Sequence, residues 1–106
     1  MGFTPQDGVP MGTRSGAIDP TVVTYIQKVK GISAEEADKI LNKESGLFGI
    51  SGVTSDCRDI RDAAAAGNPR AKLAMKILAH NIKKIVGSYI AEMNGVDALV
   101  FTAGIG

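Results

Sequence analysis

Along "RAKLAMKILAHNIKKIVGSYIAEMNG" apolar side chains return every three or four residues: Ala74, Ile77, Leu78, Ile82, Ile85, Val86, Tyr89, Ile90 and Met93. That period predicts one long helix with a wide apolar stripe, a core element lying against another layer. Asn68 and Pro69 supply the N-cap and first-turn signals, and Gly95 the stop. "SAEEADKILNK" repeats the logic on a shorter scale. Ser33 with Glu36 three residues on forms a capping box, followed by Ala37, Ile40 and Leu41 on one face. In "IDPTVVTYIQKVKG", Asp19 reads as N-cap, Pro20 as the first helical residue and Gly31 as the stop. The β-branched run Thr21, Val22, Val23 suits a strand equally well. Joined through Gly31 and Ile32, the two segments make a helical hairpin.

Elsewhere glycine interrupts the pattern. Residues 1–18 carry Pro5, Pro10 and glycine at 2, 8, 12 and 16, and read as loop. "ESGLFGISGVTSD" (44–56) alternates glycine with apolar residues, which predicts an irregular packed loop with at most a short extended piece. A further helix is expected from Thr54 or Ser55 through "DCRDIRDAAAAG" to Gly67. At the end of the sequence, Leu99, Val100, Phe101 and Thr102 predict a buried strand over about 97–102 that runs into a glycine turn. Such a strand in a parallel sheet needs neighbours on both sides, and no second convincing strand is visible. Either it pairs with another chain or the sequence is a piece of something longer; the second is the expectation. Helices closed by one strand fit the helical insert and closing βα unit of a larger α/β enzyme.

Composition narrows the function classes. With 12 Lys+Arg against 11 Asp+Glu the formal net charge is +1, no electrostatic footprint for nucleic acid. A single cysteine, Cys57, excludes an internal disulfide and fits a reducing, cytoplasmic setting. No apolar run is long enough to span a bilayer, and "MGFTPQDG" lacks the pattern of a leader. At 106 residues the sequence holds one domain at most.

Three short stretches could carry chemistry. "MGTRSG" sets Arg14 between Gly12 and Gly16, a guanidinium fork suited to carboxylate or phosphate on a bare stretch of backbone. "SDCRDI" places Asp56 and Arg58 at a helix start, where free N–H groups favour anions. Taken alone, an acidic residue complementing the helix dipole, with Arg58 paired on the surface to Asp59 or Asp62, is the commoner explanation of such a stretch. "FTAGIG" is a strand feeding a Gly-x-Gly turn, the place where open α/β sheets bind nucleotides. His80 stands mid-helix without a partner at metal spacing, and no Cys/His cluster points to a metal site. Cys57 has no histidine beside it and reads as a small buried residue.

Taken together, "MGFTPQDGVPMGTRSGAIDP", "GLFGISGVTSDCRD" and "DALVFTAGIG" resemble the acetate kinase family in content, order and spacing, over the whole chain. Family members are roughly four times this length, two domains of ordinary size. The resemblance makes residues 1–106 a partial C-terminal domain, a helical insert plus one core strand. It implies an α/β fold, part of an actin-like (ribonuclease-H-like) ATPase domain with the active site between two domains. The implied activity is reversible phosphoryl transfer from ATP to acetate, giving acetyl phosphate and ADP, with Mg²⁺. The implied setting is a cytoplasmic homodimer with no nucleic-acid or membrane partner. Propionate kinase is the near alternative, and a non-catalytic helical partner-binding module the distant one. The 106 residues alone are expected to be inactive.

Residue by residue, the resemblance implies that Arg14 is the transition-state-stabilising arginine. Pro5 matches a residue lining the apolar pocket for the acetate methyl. Asp56, Cys57 and Arg58 match a nucleotide-binding tripeptide whose middle position varies, so no thiol chemistry attaches to Cys57. Gly104, Ile105 and Gly106 match the start of a second nucleotide-binding loop. Ala17 departs from the family's usual Asp, a modest change. The family's catalytic histidine, a further substrate-binding arginine, the "HLGNG"-type phosphate hairpin and a late magnesium-associated glutamate all fall outside these residues.

Overall fold

The computed structural model describes residues 2–102, and five helices organise them. They are α1 (Thr21–Lys30), α2 (Ala34–Lys43), α3 (Gly46–Ser51), α4 (Cys57–Ala65) and α5 (Pro69–Glu92). The expected loop, hairpin and long helix all form. Asp19 Oδ1 takes both the Thr21 N–H (2.9 Å) and the Thr21 hydroxyl (2.7 Å) at the start of α1. Gly31, at φ 65°, closes α1 in a left-handed turn that a side chain resists. The capping box of α2 is complete: Glu36 N–H donates to Ser33 Oγ at 3.1 Å and Ser33 N–H to Glu36 Oε2 at 2.9 Å. Asn68 caps α5 through Oδ1, which accepts from Arg70 N–H and Ala71 N–H.

The core lies where α3, α4 and α5 meet. Leu47, Ile60, Ala71, Ala74 and Leu78 form one buried cluster, with Ile50, Cys57, Met75 and Ile82 packed on it. Ala71, Ala74 and Leu78 share one face of α5, and the two alanines let α4 approach closely. Leu47 and Ile60 are the largest fully buried side chains, each stabilising the cluster by about 2 kcal/mol.

Three expectations change. Residues 44–56 are not an irregular loop throughout, because α3 forms inside them. Its first N–H groups find acceptors on residues more than thirty positions earlier, a long-range capping that local pattern does not reveal. Helix α4 starts at Cys57 rather than at Thr54 or Ser55. The hydroxyl of Thr54 accepts the Asp56 N–H at 3.2 Å, which holds a turn, and Asp56 then caps the helix through Arg58 N–H. Residues 97–102 carry no strand, and Val100 is 78% exposed. A strand is held by ladder hydrogen bonds, and no extended partner exists among the described residues. The stripe on α5 likewise outruns its packing. Leu78 is buried, but Tyr89 is 62% exposed and Met93 is also exposed.

Candidate functional site

The loop carrying Arg14 is fastened by its backbone. Ser45 N–H donates to Thr13 O, Leu47 N–H to Met11 O and Phe48 N–H to Gly12 O, each at 2.9 Å. These loop carbonyls therefore occupy the donors at the start of α3, where capping is needed. On the other flank Ser15 N–H donates to Leu41 O at 2.9 Å, and Thr13 Oγ1 to Asn42 O at 2.8 Å. Across the loop, Met11 N–H donates to Arg14 O at 3.0 Å. The main chain on both sides of Arg14 is thus held while its side chain is not. Among the described residues the guanidinium's one hydrogen-bond partner is Met11 Sδ, at 3.9 Å, and none of the three ion pairs there involves it.

Gly46 makes this seam possible. Its φ of 60° lies in the left-handed region, and a Cβ there would sit 2.6 Å from Arg14 O and closer still to Met11 O. Gly12 contributes by close approach: a Cβ on it would lie 2.9 Å from Ser55 O. The Arg14 loop therefore rests against the residue just before Asp56. A cleft of about 340 Å³ opens between them, lined by Thr13, Lys43, Phe48, Val53, Thr54 and Ser55.

Asp56 and Arg58 form a fork at the start of α4. Asp56 Oδ1 accepts from Arg58 N–H (2.8 Å) and Arg58 Nε (3.1 Å), and Oδ2 accepts from Nη2 (2.7 Å). The Arg58 side-chain and backbone donors pull the Asp56 carboxyl down to about 2, and the same pairing raises the Arg58 guanidinium. Arg58 is nonetheless 80% exposed, so one face of its fixed guanidinium plane stays open. Cys57 points the other way: its thiol donates to Met75 Sδ at 3.9 Å and packs on the core.

The structure sets Thr13, next to Arg14, and Ser55, next to Asp56, on one cleft; Arg14, Asp56 and Arg58 themselves do not line it. Pro5 lies exposed nearby in sequence, next to Gln6, whose side-chain amide donates to Ser15 Oγ. Gly104, Ile105 and Gly106 fall outside the described residues. Lys43 is a cleft residue that sequence reasoning missed, since a lysine in a last helical turn reads as a partner of the helix dipole. A larger cleft, about 400 Å³, lies behind the loop between Glu44, Gly49 and α5; no cation lines it, so it suits an anion poorly.

A sequence model of the acetokinase family matches residues 1–106. This chain belongs to the acetokinase family. An acetate kinase of Methanosarcina mazei is 56% identical over 106 residues, all of this chain and 26% of that protein. The crystal structure of Porphyromonas gingivalis acetate kinase superposes with a TM-score of 0.95 at 50% identity, over 99% of this chain and 26% of that one. A propionate kinase from Francisella tularensis superposes equally well, TM-score 0.95 at 51% identity, over 100% of this chain and 27% of that one. The chain thus spans about a quarter of the length of the acetokinases it matches. Among the described residues no helix is long and apolar enough to cross a membrane.

Proposed function

We propose that the protein carrying this segment is a phosphotransferase that moves a phosphoryl group between ATP and acetate, with Arg14 stabilising the transfer. The observation that carries this reading is a guanidinium with no carboxylate partner among the described residues, on a loop held by five backbone hydrogen bonds, in a family that includes acetate kinases. In the forward direction a carboxylate oxygen of acetate bonds to the γ-phosphorus. The bond from that phosphorus to the β–γ bridging oxygen breaks, and ADP leaves with the electron pair. Negative charge spreads over the equatorial oxygens, and a planar fork of donors carried on a fastened backbone stabilises it.

The other residues take the parts their geometry allows. The open face of the Arg58 guanidinium, fixed by Asp56, suits stacking on a purine base. Cys57 supplies backbone there while its thiol anchors the turn to Met75. Pro5 lines the wall for the acetate methyl, and Gly104, Ile105 and Gly106 meet the adenosine from a second loop. The described residues hold no group of three His, Cys, Asp or Glu side chains that could bind a metal. The part of this segment in the reaction is positioning and charge stabilisation.

The wider reading is a cytoplasmic homodimer built on an actin-like ATPase fold, with residues 1–106 as part of the C-terminal domain. In it, residues 97–102 join a sheet formed by other parts of the protein, and the uncovered stripe of α5 packs on that sheet. Propionate is the second candidate acid. The propionate kinase and acetate kinase structures match this segment equally, so the likeness does not choose between the two acids.

The test is acyl phosphate formation by a full-length acetokinase carrying this segment, with acetate and propionate in parallel. Arg14→Ala should lower kcat roughly a thousandfold, with KM for ATP little changed. Wild-type turnover by Arg14→Ala, or no acyl phosphate from either acid, overturns the reading.

A further inference from the structure

The first turn of α5 sends one side chain back across the fold. Arg70 Nε donates to Ile50 O at 2.8 Å, and Nη2 donates to Gly49 O at 2.8 Å. Both acceptors are carbonyls of the last turn of α3. Its Nη1 lies against Gly52, where a Cβ would stand 2.9 Å away. The Arg70 backbone is itself set by the Asn68 cap, whose Oδ1 accepts the Arg70 N–H at 3.0 Å.

Helix α3 has little else to hold it. It is six residues long, carries no charged side chain and has no side-chain cap at its N-terminus, and a helix that short is not stable by itself. Its two ends are occupied from outside. Arg70 satisfies carbonyls at the negative end, the favourable place for a cation. At the other end Ser45, Leu47 and Phe48 donate to the carbonyls of Thr13, Met11 and Gly12, the loop that carries Arg14. Buried Leu47 ties the middle to the core.

From this chain of bonds we infer that Arg70 is a positioning residue for phosphoryl transfer, acting on Arg14 through α3 without touching substrate. The inference rests on the reading of Arg14 given above. Without the fork, the carbonyls of Gly49 and Ile50 lose their donor, the last turn of α3 loosens, and the donors that fix residues 11–13 shift with it. A misplacement of about 1 Å at a reacting group costs on the order of a hundredfold in rate. The Arg70 bonds are open to solvent, which moderates the effect, so roughly a tenfold loss in kcat is expected.

The experiment is a double-mutant cycle in a full-length acetokinase carrying this segment: Arg14→Ala, Arg70→Ala and the pair, each read as kcat and KM for both substrates. The expected result is a lower kcat for Arg70→Ala with both KM values within about twofold. In the Arg14→Ala background, Arg70→Ala should remove little more, because its effect runs through the missing group. Wild-type kcat in Arg70→Ala overturns the inference, and so does a loss that adds in full to that of Arg14→Ala. If Arg70→Ala does not fold, Arg70→Lys replaces it in the same cycle; it keeps the charge but cannot bridge two carbonyls with a planar fork. Failure of the underlying reading is distinguishable: Arg14→Ala then turns over like wild type, whatever Arg70→Ala does.

Discussion

Gly46→Ala and Gly31→Ala form a matched pair that tests how the Arg14 loop is held. Both glycines have left-handed backbones, φ 60° and 65°, so an alanine at either costs about 1 kcal/mol of backbone strain. Around Gly31 a Cβ would meet nothing within 4 Å, so the cost stops there. At Gly46 the new Cβ would stand 2.6 Å from Arg14 O and 3.0 Å from Arg14 N, and closer to Met11 O. All three are main-chain atoms and cannot rotate aside, so the loop itself must retreat. Retreat breaks the Leu47–Met11 and Met11–Arg14 hydrogen bonds, each worth about 1 kcal/mol. Gly46→Ala should therefore destabilise by about 3 kcal/mol, against about 1 for Gly31→Ala. Urea unfolding of a full-length acetokinase carrying each variant measures the difference. Turnover gives the second readout: Gly46→Ala lowers kcat because the Arg14 backbone has moved, and Gly31→Ala leaves it unchanged. If Gly46→Ala is no less stable and no slower than Gly31→Ala, the seam between α3 and the loop does not place Arg14.

Asp56 offers a test by pH. Its carboxyl is pulled from the ordinary 3.8 to about 2 by Arg58, so its contribution is present above about 3.8 and is lost as pH falls from 3.8 towards 2. The stability gap between wild type and Asp56→Asn, which keeps a cap but loses the charge, should narrow across that window. A gap that stays constant there would mean that the fork does not form in solution. The 106 residues made alone should give no acyl phosphate from ATP with acetate or propionate, since a cleft needs both walls. They should also melt without a sharp transition, because residues 87–102, the end of α5 included, lie exposed. Turnover by these residues, or a cooperative melt at high temperature, would contradict that.

Much of the fold was legible because its signals are local. A capping box at Ser33 and Glu36, an Asn68–Pro69 start and a glycine stop at Gly31 each act within one helical turn. Those helices therefore form within a few residues of where the sequence places them, α1 starting at Thr21 rather than Pro20 and α5 ending at Glu92, short of Gly95. The candidate site residues were visible as short-range patterns, Arg14 between glycines and Asp56 beside Arg58, and the family resemblance ordered them. What the sequence by itself could not determine was anything set by partners far along the chain. Helix α3 exists because residues 11–13 cap one end and Arg70 the other, both distant in sequence. The strand expected at 97–102 shows the same dependence in reverse: its side chains are right for a sheet, but a strand forms only where another backbone supplies the ladder. Periodicity reports which faces want burial, and only tertiary structure decides whether something is there to bury them.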